Sequence, residues 1–238
     1  LDFIAAVEAM GKVGIPVLCY NLGTGGARTD WVSVRGGAIS SQFDYAASGQ
    51  QPPKEETFTE EELWDNLTWL LARIIPFAEK ANVKMGYHPN DPPISPYLGS
   101  AKIMVSADAY RRLLKIAPSP CNGISFCQGN FRAMGEDIYS VAREFTEQGK
   151  VFFIHFRDVE GTAGTRFTET FHDDGPTDMA RMLEIYARAG FEGPIRPDHA
   201  PTMGAEDAEA TRGYGMLAKI FAFGHMIGQM QARNLAYE

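Results

Sequence analysis

Four side chains stand out because each closes a short apolar run. VKMGYH ends in His88, GISFC ends in Cys127, VFFIH ends in His155, and PIRPD ends in Asp198. Two imidazoles, a thiol and a carboxylate are the donor types that hold divalent metals. One histidine at the end of an apolar run is usually a structural hydrogen-bonding residue, and one buried cysteine is usually a small core residue. The same placement in four successive runs is not what chance gives. Ligand softness alone suits Zn2+. A mixed N/O/S set with open positions also suits Fe2+ or Mn2+, which accept five or six ligands and leave room for a chelating substrate. His172, in FHDDG, and His225, in a helical stretch, are read as non-ligands, although His172 could enter a pocket from its loop.

Residues so far apart in sequence can meet only if their runs lie side by side in one direction. The pattern around them supplies that arrangement. A helix is expected over 2–13, ended by Gly14, and a buried strand over Ile15–Asn21. A loop rich in glycine and small polar residues is expected from Gly23 to about Lys54. Thr59 with Glu62 forms a capping-box signature ahead of a helix with Leu63, Leu67, Leu70, Leu71 and Ile74 at helical spacing. Ser106 caps ADAYRRLLKIA, Gly149 stops EDIYSVAREFTEQG, and Thr177 is expected to cap DMARMLEIYARAG. A last helix runs from about Gly215 into the tail.

The intervening strands are expected at Val17–Asn21, Val83–His88, Ile124–Cys127, Phe152–Arg157 and Ile195–Asp198. Short runs, apolar on both faces and separated by helices, predict a parallel sheet of βα units. GTGGA at Gly23 has the wrong spacing for a dinucleotide turn. The expectation is therefore a (β/α)8 TIM barrel, incomplete here, with about three N-terminal βα units missing. Residues 1–238 then form a single catalytic domain of the five C-terminal units. In a βα barrel the C-terminal strand ends form the active-site face, where all four candidate ligands fall.

Bulk properties narrow the partners. A formal charge of −8 leaves no basic face for nucleic acid. No apolar run approaches the roughly 18–20 residues that span a bilayer. Three cysteines, Cys19, Cys121 and Cys127, with no CxxC pair, fit a reducing cytoplasmic protein better than a disulfide framework.

The ordered series HPNDPP, ISFCQG, FFIHFRDV and RPDH resembles the mannonate dehydratases of hexuronate catabolism. GIPVLCYN and RTDW upstream, and GYG with a long helix downstream, extend the resemblance over essentially the whole chain. It implies a xylose-isomerase-like TIM barrel with Mn2+ or Fe2+ at the strand ends. It also implies conversion of D-mannonate, a small sugar acid, to 2-dehydro-3-deoxy-D-gluconate with loss of water. The metal ligands carry over onto His88, Cys127, His155 and Asp198, and the proton-transfer residues onto His199 and Tyr214. This chain departs from the pattern at Asn90, where an aspartate is usual, at Ala200, where glycine is usual, and in the loop after Gly23.

The chemistry requires loss of a weakly acidic proton from C2 and departure of the C3 hydroxyl. A bound cation would stabilise the enediolate by Lewis acidity. His199 and Tyr214 would flank the C2–C3 bond, with the roles of base and acid left open. Arg157, on the same side of its strand as His155, binds the substrate carboxylate or forms a salt bridge in the barrel mouth. Asp91 binds sugar hydroxyls or holds the proline turn, and Asn21 and Arg28 are further pocket candidates. A homo-oligomer is expected. The alternatives are a divalent-metal sugar isomerase or epimerase on the same fold, and a non-catalytic metal-binding remnant.

Overall fold

The structure, a computed structural model, describes residues 2–23, 28–49, 53, 55–204, 206–207, 211 and 213–237. Residues 24–27 of the GTGGA stretch lie outside the described residues. Five strands form one parallel sheet: β1 (Val17–Tyr20), β4 (Lys84–Tyr87), β5 (Asn122–Cys127), β6 (Val151–Phe156) and β9 (Ile195–Pro197). Their order is β1-β4-β5-β6-β9, so sequence order and spatial order agree, as expected for successive βα units. The sheet is an incomplete TIM barrel, as the alternation of apolar runs and helices predicts. Register places Cys127 beside His155 and His155 beside Arg196, which brings the candidate ligands to one end of the sheet.

The helices that back the sheet include α1 (Asp2–Lys12), α3 (Glu60–Ala81), α4 (Ala107–Ile116), α6 (Ile138–Glu147), α7 (Met179–Arg188) and α8 (Met216–Ala232). At the N-terminus of α3, Thr59 Oγ1 accepts from the Glu62 amide at 3.2 Å. The Thr59 amide donates to the Glu62 carboxylate at 2.8 Å, completing the capping box. Leu67, Leu71 and Ile74 of α3 are fully buried, each stabilising the fold by about 1.5–3 kcal/mol. Side chains alternate along each strand. Met85, Tyr87, Ile124, Phe126, Ile154 and Phe156 belong to the large apolar core. Their neighbours Gly86, Ser125, Cys127 and His155 take the opposite face. That face is crowded: a Cβ on Gly86 would lie 2.5 Å from Ser125 Oγ.

Two expectations are corrected and one element is added. The loop expected from Gly23 to about Lys54 contains β2 (Asp30–Ser33), a 3-10 turn (Arg35–Gly37), β3 (Ile39–Asp44) and the short helix α2 (Tyr45–Ser48). With β7 (Val159–Thr162) and β8 (Arg166–Glu169) these strands build a second, antiparallel sheet, ordered β2-β3-β8-β7. Its own small core contains Phe43, Tyr97, Val159 and Phe167. The strands are short and mostly polar, with buried serines at 40 and 41 in place of an apolar run, so hydrophobic periodicity does not signal them. A further short helix, α5 (Gln128–Ala133), starts directly after Cys127. Finally, α7 is capped by Asp178, which accepts from the Arg181 amide at 2.9 Å, and not by Thr177. The Thr177 hydroxyl is already engaged, donating to buried Asp158 at 2.7 Å.

Candidate metal centre

His88 follows β4, Cys127 ends β5 and His155 lies in β6. Their donor atoms all fall within 4.8 Å of one another. His88 Nε2 is 3.1 Å from His155 Nδ1. The Pro89 carbonyl lies 2.8 Å from His88 Nδ1. A carbonyl only accepts, so Nδ1 carries the hydrogen and Nε2 turns a bare lone pair toward the cluster. This is how metal-ligating histidines are usually oriented. Asn21, after β1, donates to the carbonyls of both His88 and Pro89 at 3.0 and 2.9 Å, fixing the loop that carries the ligand. Burial pushes His88 below its ordinary range, keeping the imidazole neutral. The donor set therefore fits a divalent cation.

Asp198 follows β9 and stands at the edge of this group, its Oδ2 3.5 Å from His155 Nδ1. Its carboxylate also accepts from Arg196 at 2.5 Å and lies 3.4 Å from Arg157 Nε. Burial alone would raise its pKa, but the neighbouring His199, His155 and Arg157 hold it well below the usual carboxylate range.

His88, His155, Asp198, His199 and Tyr214 line one cavity of about 490 Å3, with Cys127 fully buried behind them. His199 Nε2 and Tyr214 Oη are 2.8 Å apart. Burial lowers the His199 pKa, although Glu169 and Asp198 pull the other way. Burial pushes the Tyr214 phenol up to about 12, helped by the Asp198 charge. A neutral imidazole and a protonated phenol thus sit in contact at neutral pH, one able to take a proton and the other to give one.

The other candidates line the same cavity but are engaged with the protein. Arg157 is 1% exposed and every nitrogen of its guanidinium has a partner. Its Nε donates to Cys127 Sγ at 3.1 Å and its Nη2 to Asp91 at 3.3 Å, and it makes very short contacts with Glu169 and Asn130. Arg28 makes a two-pronged pair with Asp91 at 2.8 and 3.0 Å and donates to Glu169 at 2.8 Å. Arg157 and Asp91 thus both take part in buried ion pairs at the barrel mouth. Asp91 is driven far below its ordinary pKa, because Arg28 and Arg157 outweigh the effect of burial.

His172 lies away from the cavity lining, its Nε2 bonded to the Phe156 carbonyl at 2.7 Å, and His225 lies within α8. Sequence reasoning missed Glu169 and Asn130. Asn130 sits one helical turn after Cys127, and Glu169 two residues after core Phe167. Both spacings are visible only once the local element is known.

Residues 50–237 match the family described as D-mannonate dehydratase (UxuA). A mannonate dehydratase of Brachyspira hyodysenteriae is 31% identical over 269 residues, covering 97% of this chain and 74% of the relative. The chain belongs to the mannonate dehydratase family. The crystal structure of mannonate dehydratase from Streptococcus suis serotype 2 superposes with a TM-score of 0.88 at 27% identity, covering 100% of this chain and 73% of that one. A xylose isomerase-like TIM barrel protein from Mycobacterium smegmatis has a TM-score of 0.62 at 8% identity, covering 97% and 67%, a likeness of fold alone. Among the described residues, no helix is long and apolar enough to cross a membrane.

Proposed function

We propose that this site dehydrates D-mannonate to 2-dehydro-3-deoxy-D-gluconate with Mn2+ or Fe2+ held by His88, Cys127 and His155, and Asp198 joining from β9. The observation that carries the reading is one cavity lined by His88, His155 and the His199–Tyr214 pair, with buried Cys127 completing the donor cluster, in a chain of this family. When bound, the cation supplies Lewis acidity toward the substrate carboxylate and C2 hydroxyl.

The chain's own residues do the rest. His199, kept neutral by burial, takes the C2 proton. Tyr214, whose phenol stays protonated, supplies a proton to the departing C3 hydroxyl, which leaves as water. The resulting enol tautomerises to the 2-keto acid. Arg157 stays engaged with Cys127, Glu169, Asp91 and Asn130.

The test is incubation of the protein with Mn2+ and D-mannonate and assay for a 2-keto-3-deoxy acid. The reading fails if D-mannonate gives no product while a ketose is turned over.

A further inference from the structure

We propose that Glu169, carried by β8 of the antiparallel sheet, is a positioning residue that holds Arg157 against Cys127 and so fixes the thiol for metal binding. The inference rests on the metal-centre reading of His88, Cys127 and His155. Glu169 touches none of those three. Its link to Cys127 runs through Arg157.

The chain of contacts is continuous. The Glu169 backbone is fixed by pairing with Val159 of β7, and its carbonyl accepts from buried Ser40 Oγ of β3 at 2.6 Å. Its side chain is 1% exposed, and Oε1 accepts both from Arg157 Nη1 in a very short contact and from Arg28 Nη2 at 2.8 Å. With that end of the guanidinium held, Nε is left to donate to Cys127 Sγ at 3.1 Å and to stand 3.4 Å from Asp198 Oδ2. Asn130 fastens the far nitrogen from α5. Gly129 makes room for this arrangement, since a Cβ there would lie 3.0 Å from both Arg157 Cζ and Nε.

A guanidinium is a rigid planar fork, so fixing one edge fixes the direction of the other. Two cations, Arg28 and Arg157, and two carboxylates, Asp91 and Glu169, balance within this buried group. Removing Glu169 leaves Arg157 to swing toward Asp91 and Asp198, which takes its Nε–H from the sulfur. Partners behind metal ligands commonly change affinity by about 10–100-fold when lost.

The experiment is titration of the metal-free protein with Co2+. Affinity is read by calorimetry, and the sulfur–cobalt bond by the thiolate-to-cobalt charge-transfer band. Glu169→Gln is expected to weaken Co2+ binding by about 10–100-fold and to shift or dim that band. Glu169→Asp, which keeps the charge, is expected to recover part of both. If Glu169→Gln does not fold, Arg28→Gln/Glu169→Gln removes one buried charge of each sign and is expected to show the same spectral change. Wild-type affinity and an unchanged band in a folded variant overturn the inference alone. Failure of the wild-type protein to bind Co2+ overturns the metal-centre reading, and this inference with it.

Discussion

Replacing Arg157 by methionine tests the buried charge network most directly. The side chain is 1% exposed, and its departure leaves Arg28 as the one guanidinium facing both Asp91 and Glu169. One carboxylate then lacks a cation, a change that typically costs about 3–5 kcal/mol. The variant can limit the loss by protonating Glu169. Keeping a carboxyl of ordinary pKa near 4.3 protonated at pH 7 costs about 3.7 kcal/mol, within the same range. Against a total stability of roughly 5–15 kcal/mol, this is a large share.

The assay is urea unfolding of metal-free protein, so that metal linkage does not enter. The pH dependence carries the sign. In the wild type, burial would raise the Glu169 pKa, but the charges of Arg157, His199 and Arg28 override it and hold it low. That stabilisation is present above the unfolded pKa of about 4.3 and is lost as pH falls through the folded value. In Arg157→Met the folded pKa rises instead, so the penalty is fullest at pH 7 and shrinks toward about pH 4. Arg157→Met/Glu169→Gln should recover about 1–3 kcal/mol relative to additivity. A loss below about 1 kcal/mol in Arg157→Met, or a penalty that does not change between pH 7 and pH 5, would refute the reasoning.

Three other outcomes are expected. Cys127→Ala should lose bound Mn2+ by elemental analysis, and retention of wild-type metal content removes the sulfur from the ligand set. Tyr214→Phe should keep its metal yet lose about 10^2–10^4-fold in kcat, and an unchanged kcat denies the phenol a role in proton transfer. Because burial lowers His199, the acid limb of kcat/KM should fall below the ordinary histidine value of about 6.5, activity being lost as pH drops and the base is protonated. Tyr214, at about 12, should impose no basic limb below pH 10. An acid limb above 7 contradicts the His199 assignment.

The parallel sheet was legible because it rests on strong local signals; of the four ligands expected at strand ends, His88, Cys127 and His155 lie with their donor atoms together and Asp198 stands beside them. Apolar runs of strand length alternate with capped helices, and His88, Cys127 and His155 terminate or nearly terminate their runs. The antiparallel sheet was not legible. Its strands bury serines and single aromatics, so their stability comes from partners far away in sequence, such as the pairing of Phe43 with Phe167. Glu169 was hidden for the same reason: in RFTE it reads as a solvated acid, and only the fold puts it against two arginines. Arg157 was placed on the correct side of its strand by the two-residue period. What occupied its guanidinium depended on the unseen sheet.

The same charge balance gives Asn90 a physical role. Its Oδ1 accepts from the Met104 amide at 2.9 Å, its own amide donates to the Met104 carbonyl at 3.0 Å, and its carbonyl accepts from Asn130 at 2.9 Å. All three partners are neutral, and the residue is 4% exposed. The next residue, Asp91, instead faces two guanidiniums. A carboxylate at position 90 could accept the same Met104 hydrogen bond, but it would add a further acid beside Asp91, Glu169 and Asp198, which already share Arg28 and Arg157. A neutral amide keeps the loop hydrogen-bonded without disturbing that balance. Through Asn130 it also ties the His88 loop to α5, the helix that starts at Cys127, so two of the three donors share one brace.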